Sequence, residues 1–114
     1  MHELSIAQSI IETIKEHVPQ QRLPDVSSVN VKVGEMSGVI AESLEFSFSA
    51  IIVESELRNT KLVIQKIPFV LYCNDCQSSI HTEFGLRVCS NCGSMNTKVI
   101  SGLELNVGEI VLED

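Results

Sequence analysis

A chain of 114 residues with an apolar share of 44% has room for one ordinary domain, or for a small domain carrying a smaller module. Eight Lys and Arg against fifteen Asp and Glu give a formal charge of -7, and no local basic cluster offsets it, which excludes a partner held by its phosphate backbone. No stretch reaches the roughly 20 apolar residues of a membrane span, and the opening residues lack the basic start and apolar run of a secretion signal, so the expected setting is a reducing cytoplasm where thiols stay available for metal.

Ala7, Ile10, Ile11, Ile14 and Val18 recur at helical spacing and predict an amphipathic helix from about Ser5 to Val18. Pro19 closes it, and Pro19 and Pro24 bracket a loop. Val29, Val31 and Val33 alternate with Asn30 and Lys32, the pattern of a strand with one buried face; Gly34 and Gly38 mark the turn that follows. Leu44, Phe48, Ile51 and Ile52 share a helical face, giving a second helix from about Ala41 to Glu54. Phe46 and Phe48 alternate as in a strand, but the length of the segment favours helix. Lys61 to Ile67 reads as a second strand, ended by Pro68.

The texture then changes. From about Pro68 to Ile100 the chain carries all four cysteines, many Ser and Asn, and no long periodic run. Leu103, Leu105 and Val107 alternate again, and the parity shifts after Gly108 to Ile110 and Leu112, which predicts a bulged final strand. Pairing that strand with the first two gives an α+β fold, a three-stranded mixed sheet with two helices. The expected domains are 1–67 together with 101–114, and an inserted zinc-ribbon-like domain over 68–100.

Cys73-Asn74-Asp75-Cys76 and Cys89-Ser90-Asn91-Cys92 form two CxxC pairs twelve residues apart. Such spacing lets the two thiolates of one turn face a common point, and a second turn completes a tetrahedron around a divalent ion. Gly93 can take a positive φ and so aim the turn's N–H groups at sulfur. A segment of about thirty residues cannot hold itself together by apolar burial alone, and zinc binding supplies the missing free energy. Two disulfides would need an oxidising compartment, a redox CxxC would not need its twin, and the Pro and aromatic residues usual around rubredoxin-type iron are missing. Four thiolates leave no open position for water, so the predicted site is structural rather than catalytic.

Met1-His2-Glu3 is the second constellation. A bulky His at the second position should block removal of Met1, leaving the α-amine on Met1. That amine, the His2 backbone nitrogen and its imidazole Nδ1 can close two fused chelate rings around one metal. The Glu3 amide or carboxylate, water or a partner residue could add further ligands. Nitrogen-rich planar coordination suits Ni(II) or Cu(II). Spacing alone also allows the plainer reading of a solvated His near a chain end. His17 reads as a charge at the end of the first helix, His81 as a solvated side chain, and Glu35, Glu42 and Glu45 as surface charge. No nucleophile stands at recognisable spacing from a base, so no active site is expected.

Met1-His2-Glu3-Leu4-Ser5-Ile6-Ala7, Val33-Gly34-Glu35-Met36-Ser37-Gly38-Val39, Leu44-Glu45-Phe46-Ser47-Phe48 and the two CxxC pairs occur in this order. The set resembles the HypA/HybF family of hydrogenase maturation factors along essentially the whole chain. The resemblance implies a nickel metallochaperone and not an enzyme. Its α/β domain would take Ni(II) as transient cargo at Met1, His2 and Glu3, and its inserted domain would hold structural Zn(II) on Cys73, Cys76, Cys89 and Cys92. The implied partners are the GTPase HypB and the large-subunit precursor of a NiFe hydrogenase, and some relatives also serve urease with its accessory proteins.

Some relatives place His beside the CxxC pairs. Here Tyr72, Gln77, Val88 and Gly93 stand there, so a His-assisted rearrangement of the zinc site is not expected. The polar face of the first helix, with Gln8, Glu12 and Lys15, borders the expected GTPase surface, because that partner must reach His2. A weak homodimer, or exchange through hinges near Pro68 and Ile100, is compatible with the sequence. The competing class is a zinc-ribbon interaction adaptor without a second metal, and a redox enzyme comes third.

Overall fold

The computed structural model describes residues 3–113. Helix α1 spans Glu3–His17 and buries Ile6, Ala7, Ile10, Ile11 and Ile14, one stripe of a 3.6-residue period. His17 Nδ1–H donates to the Thr13 carbonyl at 2.9 Å, satisfying one of the last-turn acceptors a helix leaves open. The stretch beyond Pro19 is no irregular loop. Gln20–Asp25 forms a 3-10 turn with Pro24 inside it, pinned by buried Leu23 and by an Arg22 to Asp25 bond of 2.9 Å.

Strand β1 (Val26–Gly34) buries Val26, Val29, Val31 and Val33. Helix α2 spans Ala41–Ile52 and buries Leu44, Phe48 and Ile52. The two phenylalanines settle its type. In a strand they would share a face, whereas Phe46 is 77% exposed and Phe48 1%. Strand β2 is Lys61–Ile67 and β6 is Leu105–Leu112; together with β1 they form a sheet in the order β2-β1-β6. Thr60 Oγ1 donates to the Val26 carbonyl and Glu35 N–H to that of Ile67, so β1 and β2 run parallel with α2 as the crossover. Ser27 meets Val111, Asp25 meets Glu113, and Gly34 meets Glu104, which makes β6 antiparallel to β1 and the sheet mixed.

That same register holds at both ends of β6, so Gly108 inserts no extra residue and the expected bulge is absent. The parity shift has another cause. Ile110, Val111 and Leu112 are all half-buried, so the end of the strand is partly covered on both faces and strict alternation is not required.

The chain divides into two compact units. One holds the described residues up to 32, then 39–65 and from 106 on; the other holds 33–38 and 66–105. In the first, α1 and α2 pack on each other. The second contains β3 (Val70–Cys73), β4 (Ser78–His81) and β5 (Thr97–Ser101) in the antiparallel order β4-β3-β5. Leu71 pairs with Ile80 on one side and Val99 on the other, and Phe69 and Leu71 are buried.

The 33–38 segment is tied into this second unit through its backbone. Gly34 N–H donates to Glu104 and Met36 N–H to Gly102, at 2.7 and 2.8 Å. Glu35, expected to be plain surface charge, accepts on one oxygen from Phe69 N–H at 2.8 Å and from His81 Nε2–H at 2.9 Å. His81 is therefore a partner of Glu35 rather than a freely solvated side chain. The Phe69 N–H, then the His81 bond, hold the Glu35 carboxyl below its ordinary 4.5.

A group with a depressed folded pKa stabilises the fold above its unfolded value and ceases to as pH falls through the folded one. Glu35→Gln should therefore lower the thermal midpoint at pH 7, with the gap to the parent closing below about pH 4. Melts at stepped pH check this; a gap that stayed constant into acid would assign the loss to shape, not charge.

No helix of the described residues is long and apolar enough to cross a membrane.

Candidate metal centre

The four cysteines arrive on two turns built alike. In the first, β3 ends on buried Cys73, Cys76 is exposed, and Gln77 turns to φ 55° before β4 begins. In the second, Cys89 is buried, Cys92 is exposed, and Gly93 sits at φ 76°. The second turn is closed by Gly93 N–H to the Cys89 carbonyl and by Cys89 N–H to Ser94, at 2.8 and 2.9 Å. A Cβ on Gly93 would meet nothing within 4 Å. Glycine is there for its backbone angle and not for space. Gln77 holds the same left-handed region with a side chain, at a cost on the order of 1 kcal/mol.

Cys73 Sγ lies 3.6 Å from Cys92 Sγ, and Cys76 Sγ lies 3.7 Å from Cys89 Sγ. All four sulfurs fall within 4.8 Å of one another. A tetrahedron with zinc–sulfur bonds of about 2.3 Å has edges of about 3.8 Å, so the cage fits such an ion closely. A disulfide needs about 2.05 Å, and all four are free thiols.

Electrostatics point the same way. Cys92 N–H leads in holding the Cys89 thiol down to about 7, helped by Asn91 N–H and opposed by burial. Ser94 N–H draws Cys92 down, but the Cys73 thiol, burial and the other two sulfurs outweigh it and push Cys92 up to about 12. Sulfur beside sulfur resists full ionisation until a cation shares the charge.

Behind the cage, Asp75 joins the two turns. Its carboxylate accepts from Ser94 Oγ and from Asn96 Nδ2, and these bonds, Ser94 first, hold its pKa down. Asn74 N–H adds a main-chain bond to Asn96 at 3.0 Å, and Ser78 Oγ stands 3.1 Å from Cys76 Sγ. The CxxC spacing points to the four sulfurs but not to this supporting layer, nor to Glu35. Short polar side chains between cysteines carry no periodic signal, and only the fold shows which of them meet.

The second expected metal site divides. Met1 and His2 lie outside the described residues. Glu3 opens α1, and its carboxylate accepts from Ile40 N–H, just ahead of α2, at 3.3 Å. His17 and His81 are engaged with Thr13 and Glu35 and do not join the cysteine group.

A family described as hydrogenase/urease nickel incorporation, metallochaperone, hypA matches residues 1–112. The hydrogenase maturation factor HypA of Geotalea uraniireducens is 32% identical over 113 residues, 99% of this chain and 100% of that protein. Its counterpart from Shewanella halifaxensis is 38% identical over 114 residues, 99% of this chain and 98% of that one. Two solution structures are similar, each at 25% identity. A HypA protein gives a TM-score of 0.70 over 99% of this chain and 97% of that one, and the Ni metallochaperone HypA from Helicobacter pylori gives 0.66 over 98% and 97%. The chain belongs to the HypA family of hydrogenase/urease nickel-incorporation metallochaperones.

Proposed function

We propose that this protein binds Ni(II) at its chain start, through Met1, His2 and Glu3, and delivers it for maturation of a NiFe hydrogenase, while Cys73, Cys76, Cys89 and Cys92 hold one structural Zn(II). The observation that carries the reading is a closed four-sulfur cage in a chain whose whole length matches nickel-incorporation factors. A cage with every tetrahedral position filled by protein has no room for exchange, so a cargo ion needs a second site. The chain start supplies one.

A donor must capture nickel and still release it. A terminal site does both, because its ligands can be exchanged one at a time with an acceptor. The α-amine, with a reference pKa of roughly 7.7 to 8.0, and the amide nitrogens must lose protons to ligate, so acid releases the metal. The Glu3 carboxylate bonds to Ile40 N–H, which favours the Glu3 amide nitrogen as its contribution to the metal. Cu(II) prefers such nitrogens more strongly than Ni(II) does. Selectivity then falls to partner recognition, with the GTPase HypB lending or receiving nickel and the hydrogenase large-subunit precursor accepting it. Service to urease follows the same chemistry with a different acceptor. The thiol cage suits a reducing compartment, the cytoplasm.

Calorimetry on protein with its native start tests this. One Zn(II) and one Ni(II) per chain are expected, with nickel affinity falling about tenfold or more in His2→Ala, and on extension before Met1, while zinc content is unchanged. Equal nickel affinities in all three proteins would refute the site and leave a zinc-bearing interaction adaptor.

A further inference from the structure

Between the start of α1 and the first half of α2 lies a hollow of about 460 Å³, lined by Glu3, Leu4, Glu42, Ser43, Phe46 and Ser47. Its rim is apolar in a way folding does not require. Leu4 is 52% and Phe46 77% exposed. Phe46 lies away from the buried stripe of Leu44, Phe48 and Ile52, where any polar residue would serve the helix as well. Glu42 has an ordinary explanation, since an acid in a first turn complements the helix dipole; Phe46 has none of that kind. Exposed aromatic side chains beside a depression are the usual anchors of an interface.

We propose that this hollow is the docking site for a partner-protein segment that presents an apolar side chain next to a basic one. The inference rests on the nickel reading above for why a partner comes to this end of the chain. The lining chooses the occupant. Among the described residues it is lined by two carboxylates and no cation, so an incoming Lys or Arg is matched there and an acid is repelled. Ser43 and Ser47, one helical turn apart, add only small side chains to the lining beside Leu4 and Phe46, which suits a Leu- or Met-sized group. A second copy of this chain is a poor occupant. A two-fold contact would set Glu3 and Glu42 against the same two residues of its partner. Glu3, itself one of the proposed nickel-binding residues, lines the hollow, so a partner seated there stands beside the cargo.

The probe is the purified maturation GTPase, titrated against the full chain with its native start. Phe46→Ser and Glu42→Lys should each weaken GTPase binding about tenfold or more, the second with altered salt dependence. Glu109→Lys, an exposed charge on β6, should not. Nickel affinity and far-ultraviolet circular dichroism should match the parent throughout. Unchanged GTPase affinity in both hollow variants overturns the proposal, as does a parent that binds no GTPase. So does loss of self-association by Phe46→Ser with GTPase binding intact, which would make the face a homodimer contact. A parent that takes up no nickel, with GTPase binding still lost in both variants, would sink the nickel reading and leave the docking surface standing.

Discussion

Removing the metal from the cysteine cage should melt β3, β4 and β5 while α1, α2 and residues 26–32 of β1 persist. The asymmetry follows from what each unit buries. The first unit has Ile10, Ile14, Val29, Val31, Leu44, Phe48 and Leu57 at 3% exposure or less, a core that needs no ion. The second has Phe69 and Leu71, and two of its other most deeply buried side chains are Cys73 and Cys89 themselves. Without a cation those sulfurs are a crowded, partly ionised group.

Structural zinc supplies about 10 kcal/mol or more to comparable small folds, far above what one Phe and one Leu provide at roughly 1.5 to 3 kcal/mol each. Chelation, or Cys89→Ser, should therefore collapse amide dispersion for residues of 70–101 and leave that of α1 and α2. Retained dispersion in the β3 sheet after complete loss of metal would show that the Asp75 network and the apolar contacts suffice alone.

The second large effect is expected at Gly102. Its φ is +107°, and a Cβ there would fall 2.4 Å from Phe69 Cα. Backbone strain and backbone overlap coincide, and nothing flexible can move aside. Gly102→Ala should cost about 3 to 5 kcal/mol. Gly93 provides the control, because it shares the positive φ but faces open space. Gly93→Ala should cost only about 1 kcal/mol. Gly34→Ala tests a second close approach, on the Gly102 backbone itself, since its Cβ would meet the Gly102 carbonyl carbon at 2.3 Å. Chemical denaturation of the three variants gives the ranking. If Gly93→Ala proved as costly as Gly102→Ala, the angle alone would be responsible and the close approach would not matter.

Elements with a sustained period were legible before any coordinates. The Val29-Val31-Val33 alternation and the α1 stripe each repeat often enough to define a buried face, and α2 ends at Ile52, two residues short of its expected end. Leu57, fully buried, was not legible, being a lone apolar residue in a polar stretch. Strands β3 to β5 were missed for a related reason. They are four or five residues long, and the inward side of β3 is Leu71 and Cys73, so half of its hydrophobic pattern is written in a cysteine of the four-sulfur cage. The CxxC spacing located the sulfurs because two short turns fix their own geometry. Contacts across the chain, such as Glu35 to His81 and Asp75 to Asn96, depend on sheet register that no local pattern encodes.

The leads of the cysteine-bearing segment are clipped to consecutive residues, Ile67 to Glu35 and Gly102 to Met36, at 2.7 and 2.8 Å. A segment whose departure and return are fastened side by side behaves as a cassette. Doubling its length would add only about 0.6 kcal/mol of closure entropy. Its outer tip can thus grow, shrink or be exchanged for another thiolate fold without re-spacing β2 from β6.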